Sequence, residues 1–176
     1  QKWMDMSEGH YGVSLLNDCK YGHSALDGVM TLTLIKSGIE PNPTADQEEH
    51  TFTYALYPHA EGWRQANTVQ EAMKLNQPLL SEDGGHAGCQ NSFVWVDKSN
   101  VIIETVKMAE DDDGIIVRLY ESENAKTKAH IFFGEKISSV ESCNCLEEIK
   151  QTIETDGEGF EITVKPYEIQ TYRVRF

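Results

Sequence analysis

Hydrophobic and polar residues alternate with period two over most of this chain, in short runs broken by turn-forming residues. Residues 29–35 place Met30, Leu32 and Leu34 on one face and Thr31 and Thr33 on the other, which predicts a half-buried strand. Residues 51–57 repeat the pattern, with Phe52, Tyr54 and Leu56 toward the core and Pro58 as the stop. Strand patterns return at 93–96, where Trp95 alternates with Val94 and Val96 and is assigned to the core, then at 101–108, 115–120, 130–133 and 160–164. Residues 137–153 alternate poorly and read as one strand followed by a loop. The last strand runs to the end of the sequence, with Tyr172, Val174 and Phe176 opposite Arg173 and Arg175.

The interruptions are as informative as the runs. Residues 37–47 carry Gly38, Pro41, Pro43 and Asp46, which break helix and strand alike and mark a long surface loop. Thr68 with Glu71 three positions on fits a capping box, and the helix-forming residues that follow stop at Pro78. That is the one helix predicted. A second loop, 79–91, is rich in glycine, and 109–114 closes on the Asp113-Gly114 pair that hairpin turns prefer. Near the start, Val13 to Leu16 suit a buried strand end that runs into a polar loop of Asn17, Asp18, Cys19, Lys20, Tyr21 and Gly22. Many short strands, one short helix and no βαβ rhythm predict an all-β fold, an antiparallel β-sandwich, with residues 1–176 as one domain.

Charge then removes several classes of function. The 176 residues hold 29 acidic and 15 basic side chains, a formal net charge of -14, and such a field repels phosphate backbones and anionic lipid. Neither nucleic acid nor a membrane is expected as a partner, and no signal peptide is recognised at the N-terminus. A start at Gln1 is expected of a piece cut from a longer protein.

Candidate chemistry is sparse. The four cysteines are too few for a disulfide framework and predict reduced thiols. Cys143 and Cys145 can be two metal thiolates or incidental, and the spacing lacks a second ligand pair. His86 and Cys89 give half a metal site in the glycine-rich loop. His50 and His59 bracket a strand and can serve contact or packing; Trp3, Trp63 and Trp95 can stack on sugar rings or fill a core. The acidic run at 110–113 lacks a calcium-loop pattern and reads as a solvated turn.

The motifs Ser7-Glu8-Gly9-x-Tyr11-Gly12-Val13, Leu16-Asn17-Asp18-Cys19-Lys20-Tyr21-Gly22, Ala45-Asp46-Gln47-x-Glu49-His50, Phe52-Thr53-Tyr54-Ala55-Leu56-Tyr57-Pro58-His59, Ala109-Glu110-Asp111-x-Asp113-Gly114 through Glu121 and Pro166-Tyr167-Glu168-Ile169 together resemble the C-terminal β-domain of glycoside hydrolase family 38 α-mannosidases, of the bacterial and cytosolic branch. The resemblance implies a retaining hydrolase of terminal α-mannosides whose Asp nucleophile and divalent metal, usually zinc, belong to an N-terminal catalytic domain absent from these residues. No catalytic residue, metal ligand or cofactor is therefore assigned within the chain. The implied partners are that catalytic domain and the mannoside substrate, a homo-oligomer is compatible, and the implied location is cytoplasmic. The resemblance further implies that the loop bearing Asn17, Asp18, Lys20 and Tyr21 approaches the substrate cleft. There Asp18 can accept hydroxyl hydrogen bonds and Lys20 can donate them, or Asp18 can cap a turn while Lys20 points to water. Golgi and lysosomal members of the family often carry Asp-Arg where this chain has Asp18-Cys19-Lys20. A carbohydrate-binding module that stands alone and an interaction scaffold are the other classes of function these features allow.

Overall fold

β-branched and aromatic residues at alternate positions draw the regular structure into antiparallel strands, and a single helix interrupts them among the described residues. The computed structural model describes residues 2–81, 83 and 91–176. The expected half metal site of His86 and Cys89 lies outside the described residues. The chain clusters into two units, Gln1–Gly84 and Gly85–Phe176, each built on its own sheets.

In the first unit β1 (Trp3–Ser7) and β2 (Tyr11–Asn17) pair antiparallel, and β3 (His23–Leu26) and β4 (Val29–Leu32) form a separate hairpin. β5 (Tyr54–Ala60) joins the other edge of β2, and α1 (Thr68–Asn76) follows. Asp27 and Gly28 turn the small hairpin with φ of 50° and 79°, the left-handed pair that a tight hairpin requires. The strand expected over 29–35 ends at Leu32, and Leu34 and Ile35 lie exposed.

β5 corrects the sequence reading by one register step. Ala55, Tyr57 and His59 point toward the helix-covered face, whereas Tyr54 and Leu56 are 54% and 67% exposed. Pro58 does not stop the strand; β5 is the sheet's edge strand, and Pro58, paired with Val13 of the central β2, loses no ladder bond on the open side. A one-residue shift exchanges the two faces, which is why both sets looked apolar in the sequence. The displaced set lines a groove of about 480 Å³ with Val13, Leu15, Met30 and Leu32.

The helix starts where expected but by another device. Asn67 is the cap, in a left-handed conformation with φ 53° and no side-chain cap bond, and Thr68 is the first helical residue. Its hydroxyl turns inward to Ser14, 2.8 Å away.

The second unit is a two-sheet sandwich. β6 (Val94–Val96), β9 and β12 form one sheet, in the order β12-β9-β6, with β9 at Thr127–Phe133 and β12 at Gly159–Val164. The other runs β11-β10-β13-β8-β7, from β7 (Val101–Met108), β8 (Ile115–Glu121), β10 (Ser139–Cys143), β11 (Ile149–Ile153) and β13 (Ile169–Arg175). Val117, Leu119, Val140, Tyr172 and Val174 of the five-stranded sheet meet Ala129, Ile131, Phe133, Phe160 and Ile162 of the three-stranded one in a continuous buried core. Residues 137–153, expected as one strand and a loop, are the β10 and β11 hairpin; a bulge between Ser142 and Cys143 blurs the alternation there. Trp95, assigned to the core, faces outward and is 42% exposed, while Val94 and Val96, which alternate with it, pack inward instead.

Candidate functional site

The loop after β2 is held by its own first two residues. Asn17 is fully buried, and its side-chain oxygen accepts the Lys20 N–H at 2.7 Å. Its side-chain amide faces His23 Nε2 at 3.1 Å, and His23 Nδ1 faces the Tyr21 carbonyl at 3.1 Å. A carbonyl only accepts and an amide NH₂ only donates, so the imidazole carries its proton on Nδ1. Both carboxylate oxygens of Asp18 accept the Thr53 N–H, at 3.0 and 2.9 Å, while Asp18 N–H donates to Thr53 O at 3.1 Å. The Cys19 thiol and the Thr53 amide hold the Asp18 carboxyl below its usual range, and the same carboxylate pushes the Cys19 thiol up, away from reactivity. Asn17 and Asp18 thus shape the loop. Lys20 places its ammonium 4.7 Å from the centre of the Phe52 ring, a cation–π contact, and Tyr21 is left 57% exposed at the tip.

A polar cluster beneath α1 is the feature that sequence reasoning missed. Asp5, Ser14 and His59 come from three neighbouring strands, and Thr68 comes from the helix above. His59 Nε2 lies 2.7 Å and Ser14 Oγ 2.6 Å from Asp5 Oδ1, and Ser7 donates to Asp5 Oδ2. With Ser14's proton on Asp5, the Thr68 hydroxyl donates to Ser14. Burial raises the Asp5 carboxyl, but the hydrogen bonds from Ser14, Ser7 and His59 outweigh it and leave it below its ordinary value. The residue types are those of a hydrolytic triad, but the geometry is not. Serine and aspartate crowd the same imidazole nitrogen, whereas general-base catalysis needs one on each, and Ser14 has no solvent exposure. The cluster ties helix to sheet.

His50 Nε2 donates to the Asp46 carbonyl at 2.9 Å within its own loop. Cys143 is buried, its thiol pushed up by burial, and Cys145 is exposed. Among the described residues no three His, Cys, Asp or Glu side chains converge to hold a metal ion. The zinc that the resemblance implies is expected in the catalytic domain outside these residues, and no step is derived through it. The acidic turn between β7 and β8 does more than face solvent. Asp111 accepts Arg173 at 2.7 Å and Asp113 takes Arg175 through two bonds of 2.9 and 2.8 Å, clasping the turn to β13.

Two family models match the chain: the glycosyl hydrolases family 38 C-terminal domain over residues 1–44, and the glycosyl hydrolases family 38 C-terminal beta sandwich domain over residues 100–172. Alpha-mannosidase G of Dictyostelium discoideum is 35% identical over 180 residues, covering 98% of this chain and 17% of that protein. Alpha-mannosidase 2C1 of Homo sapiens is 35% identical over 151 residues, covering 83% of this chain and 14% of that protein. The fold also matches the crystal structure of an alpha-mannosidase from Enterococcus faecalis V583, with a TM-score of 0.73 at 21% identity over 98% of this chain and 20% of that one. The chain belongs to glycosyl hydrolase family 38, as its C-terminal β-region. It spans less than a fifth of the length of the Dictyostelium and human relatives.

Proposed function

We propose that this chain is the C-terminal part of a longer α-mannosidase that removes terminal α-mannosides, with the nucleophile and the metal supplied by residues outside these 176. The observation that carries the reading is the match to named alpha-mannosidases along 98% of the chain but only 17% of the relative. The apolar groove of the first unit supports a docking role, because Tyr54 and Leu56 stand exposed beside it on a sheet face. That groove is the surface we assign to the catalytic part of the same protein.

Within the loop expected at the cleft, Asn17 and Asp18 are committed to backbone bonds, so Lys20 and the exposed Tyr21 are the side chains we assign to substrate. The unpaired thiols of Cys19, Cys143 and Cys145 support a reducing, cytoplasmic location. None of the helices among the described residues is long and apolar enough to cross a membrane. Hydrolysis of a chromogenic aryl α-mannoside, with zinc supplied, by the full gene product and by this chain side by side tests the reading. Activity in the full product alone is expected; activity in this chain overturns the assignment of roles, and silence in both overturns the α-mannosidase reading.

A further inference from the structure

The outer face of the β12-β9-β6 sheet carries a built aromatic platform that the reading above does not use. Trp95 on the edge strand β6 lies directly across from Phe132 on β9, with ring centres 5.4 Å apart and planes 12° from parallel. His130, two residues before Phe132 on the same face, backs Phe132 at 4.2 Å. His130 is fixed in turn by its backbone N–H to Asp97 at 2.8 Å. Trp95 is therefore stacked from behind yet 42% exposed.

Trp95 is shared by two adjoining concavities, one of about 610 Å³ and one of about 190 Å³, and Gly134 and Glu135 form a wall of both. The larger is rimmed by Asn91, Ser92 and Glu135, and the smaller by Lys136 and Glu158. Gly134 brings that wall close: its N–H donates to Phe93 O at 3.0 Å, and a Cβ there would stand 2.6 Å from Ser92 O. The wall is set by backbone contact.

We propose that this platform is a second, non-catalytic carbohydrate site that takes a neutral pyranose ring of a glycan chain. An exposed indole offers an apolar face to the C–H side of a sugar, while amide, hydroxyl and carboxylate groups at the rim match ring hydroxyls that both donate and accept. Glu135 and Glu158, within a strongly acidic chain, disfavour phosphate and sulfate ligands. The site would hold a polymeric or branched substrate while a terminal sugar occupies the catalytic cleft; the choice of a mannose polymer as its ligand rests on the reading of the chain as part of an α-mannosidase.

The test uses the full gene product in native gels containing soluble α-mannan, with aryl α-mannoside hydrolysis run alongside. Trp95→Ala is expected to raise the apparent Kd for mannan about tenfold with hydrolysis of the small aryl mannoside unchanged. Trp95→Phe, which keeps a stacking ring, restores most of the affinity. Where the wild type hydrolyses the aryl mannoside, equal retardation of wild type and Trp95→Ala in mannan, or no retardation of wild type, overturns the site. Should Trp95→Ala lose both activities through misfolding, the exposed Glu135→Ala variant decides. Weaker mannan binding with hydrolysis intact supports the site, and unchanged binding overturns it. If the wild type fails to hydrolyse the aryl mannoside, the α-mannosidase reading falls separately. A panel of α-mannan, galactomannan and β-glucan gels then tests the platform alone: retardation in any gel that Trp95→Ala abolishes supports it, and none overturns it.

Discussion

His59 Nε2 lies 2.7 Å from Asp5 Oδ1, and both side chains are almost wholly withdrawn from solvent, at 3% and 5% exposure. The two residues are 54 positions apart and sit on strands that do not pair with each other; both flank β2. Because Ser7 and Ser14 also bond this carboxylate, removing it strands three donors at once. Asp5→Ala is expected to destabilise the first unit by about 2–4 kcal/mol, read from the shift in urea midpoint. A change under 0.5 kcal/mol, roughly the size of an ordinary surface substitution, would refute the cluster's role as a tie.

Gly12 is part of the same arrangement. It pairs with His59 across the strands, and a Cβ on it would stand 2.3 Å from His59 Cε1 and 2.4 Å from Ser7 Oγ. Both neighbours are locked on Asp5, so neither can yield freely. Gly12→Ala is expected to cost about 1–3 kcal/mol by overpacking, and the His59→Ala, Gly12→Ala double variant is expected to cost less than the sum, since it removes one of the two obstructing side chains. Additive costs in a double-mutant cycle would count against the contact.

The sandwich of the second unit was legible because inward residues such as Leu119 and Ile162 are flanked by polar or amphipathic ones, Arg118 and Tyr120 in β8 and Glu161 and Thr163 in β12. The faces of β5 were not. Ala55, Tyr57 and His59 compete with Tyr54 and Leu56 as an apolar set, and only pairing to β2 settles the register. The Asp5 cluster was hidden for a related reason: its four members are unremarkable singly and meet only through strand order. The loop residue Asp18 was read as a hydroxyl acceptor or a turn cap; its carboxylate accepts the N–H of Thr53, 35 positions away, a tertiary contact that residue order does not reveal. A missed signal did exist for the β3 and β4 hairpin, since Asp27-Gly28 is a strong turn pair.

Acid should act on this fold through its buried carboxylates, Glu121 and Asp5 among them. Glu121 is fully buried, and it accepts Asn100 at 2.9 Å, the Glu123 N–H at 2.7 Å and the Tyr167 N–H at 3.0 Å. Burial raises its carboxyl, but these bonds prevail and hold it below 4.5, as the bonds to Asp5 hold that group below 3.8. A carboxyl depressed in the folded state contributes stability at pH values above its unfolded pKa and loses it as pH falls through the folded one. Unfolding free energy is therefore expected to drop as pH falls below about 4.5. Glu121→Gln turns an NH₂ toward donors and is expected to cost about 2–4 kcal/mol at neutral pH while flattening the acid limb. An unchanged pH slope in that variant would show that Glu121 carries none of it.

The exposed face of the first unit separates a docking surface from an idle one. Leu56 is 67% exposed beside the groove formed with Val13, Leu15 and Tyr54, so Leu56→Glu in the 176-residue chain buries no charge and should change stability by less than about 0.5 kcal/mol. In the full gene product the same substitution is expected to behave differently. If the catalytic part covers this face, the carboxylate becomes trapped in an apolar contact, and the thermal midpoint and aryl mannoside activity should both fall. Equal, negligible effects in both proteins would leave the groove facing solvent and remove it as the proposed docking surface.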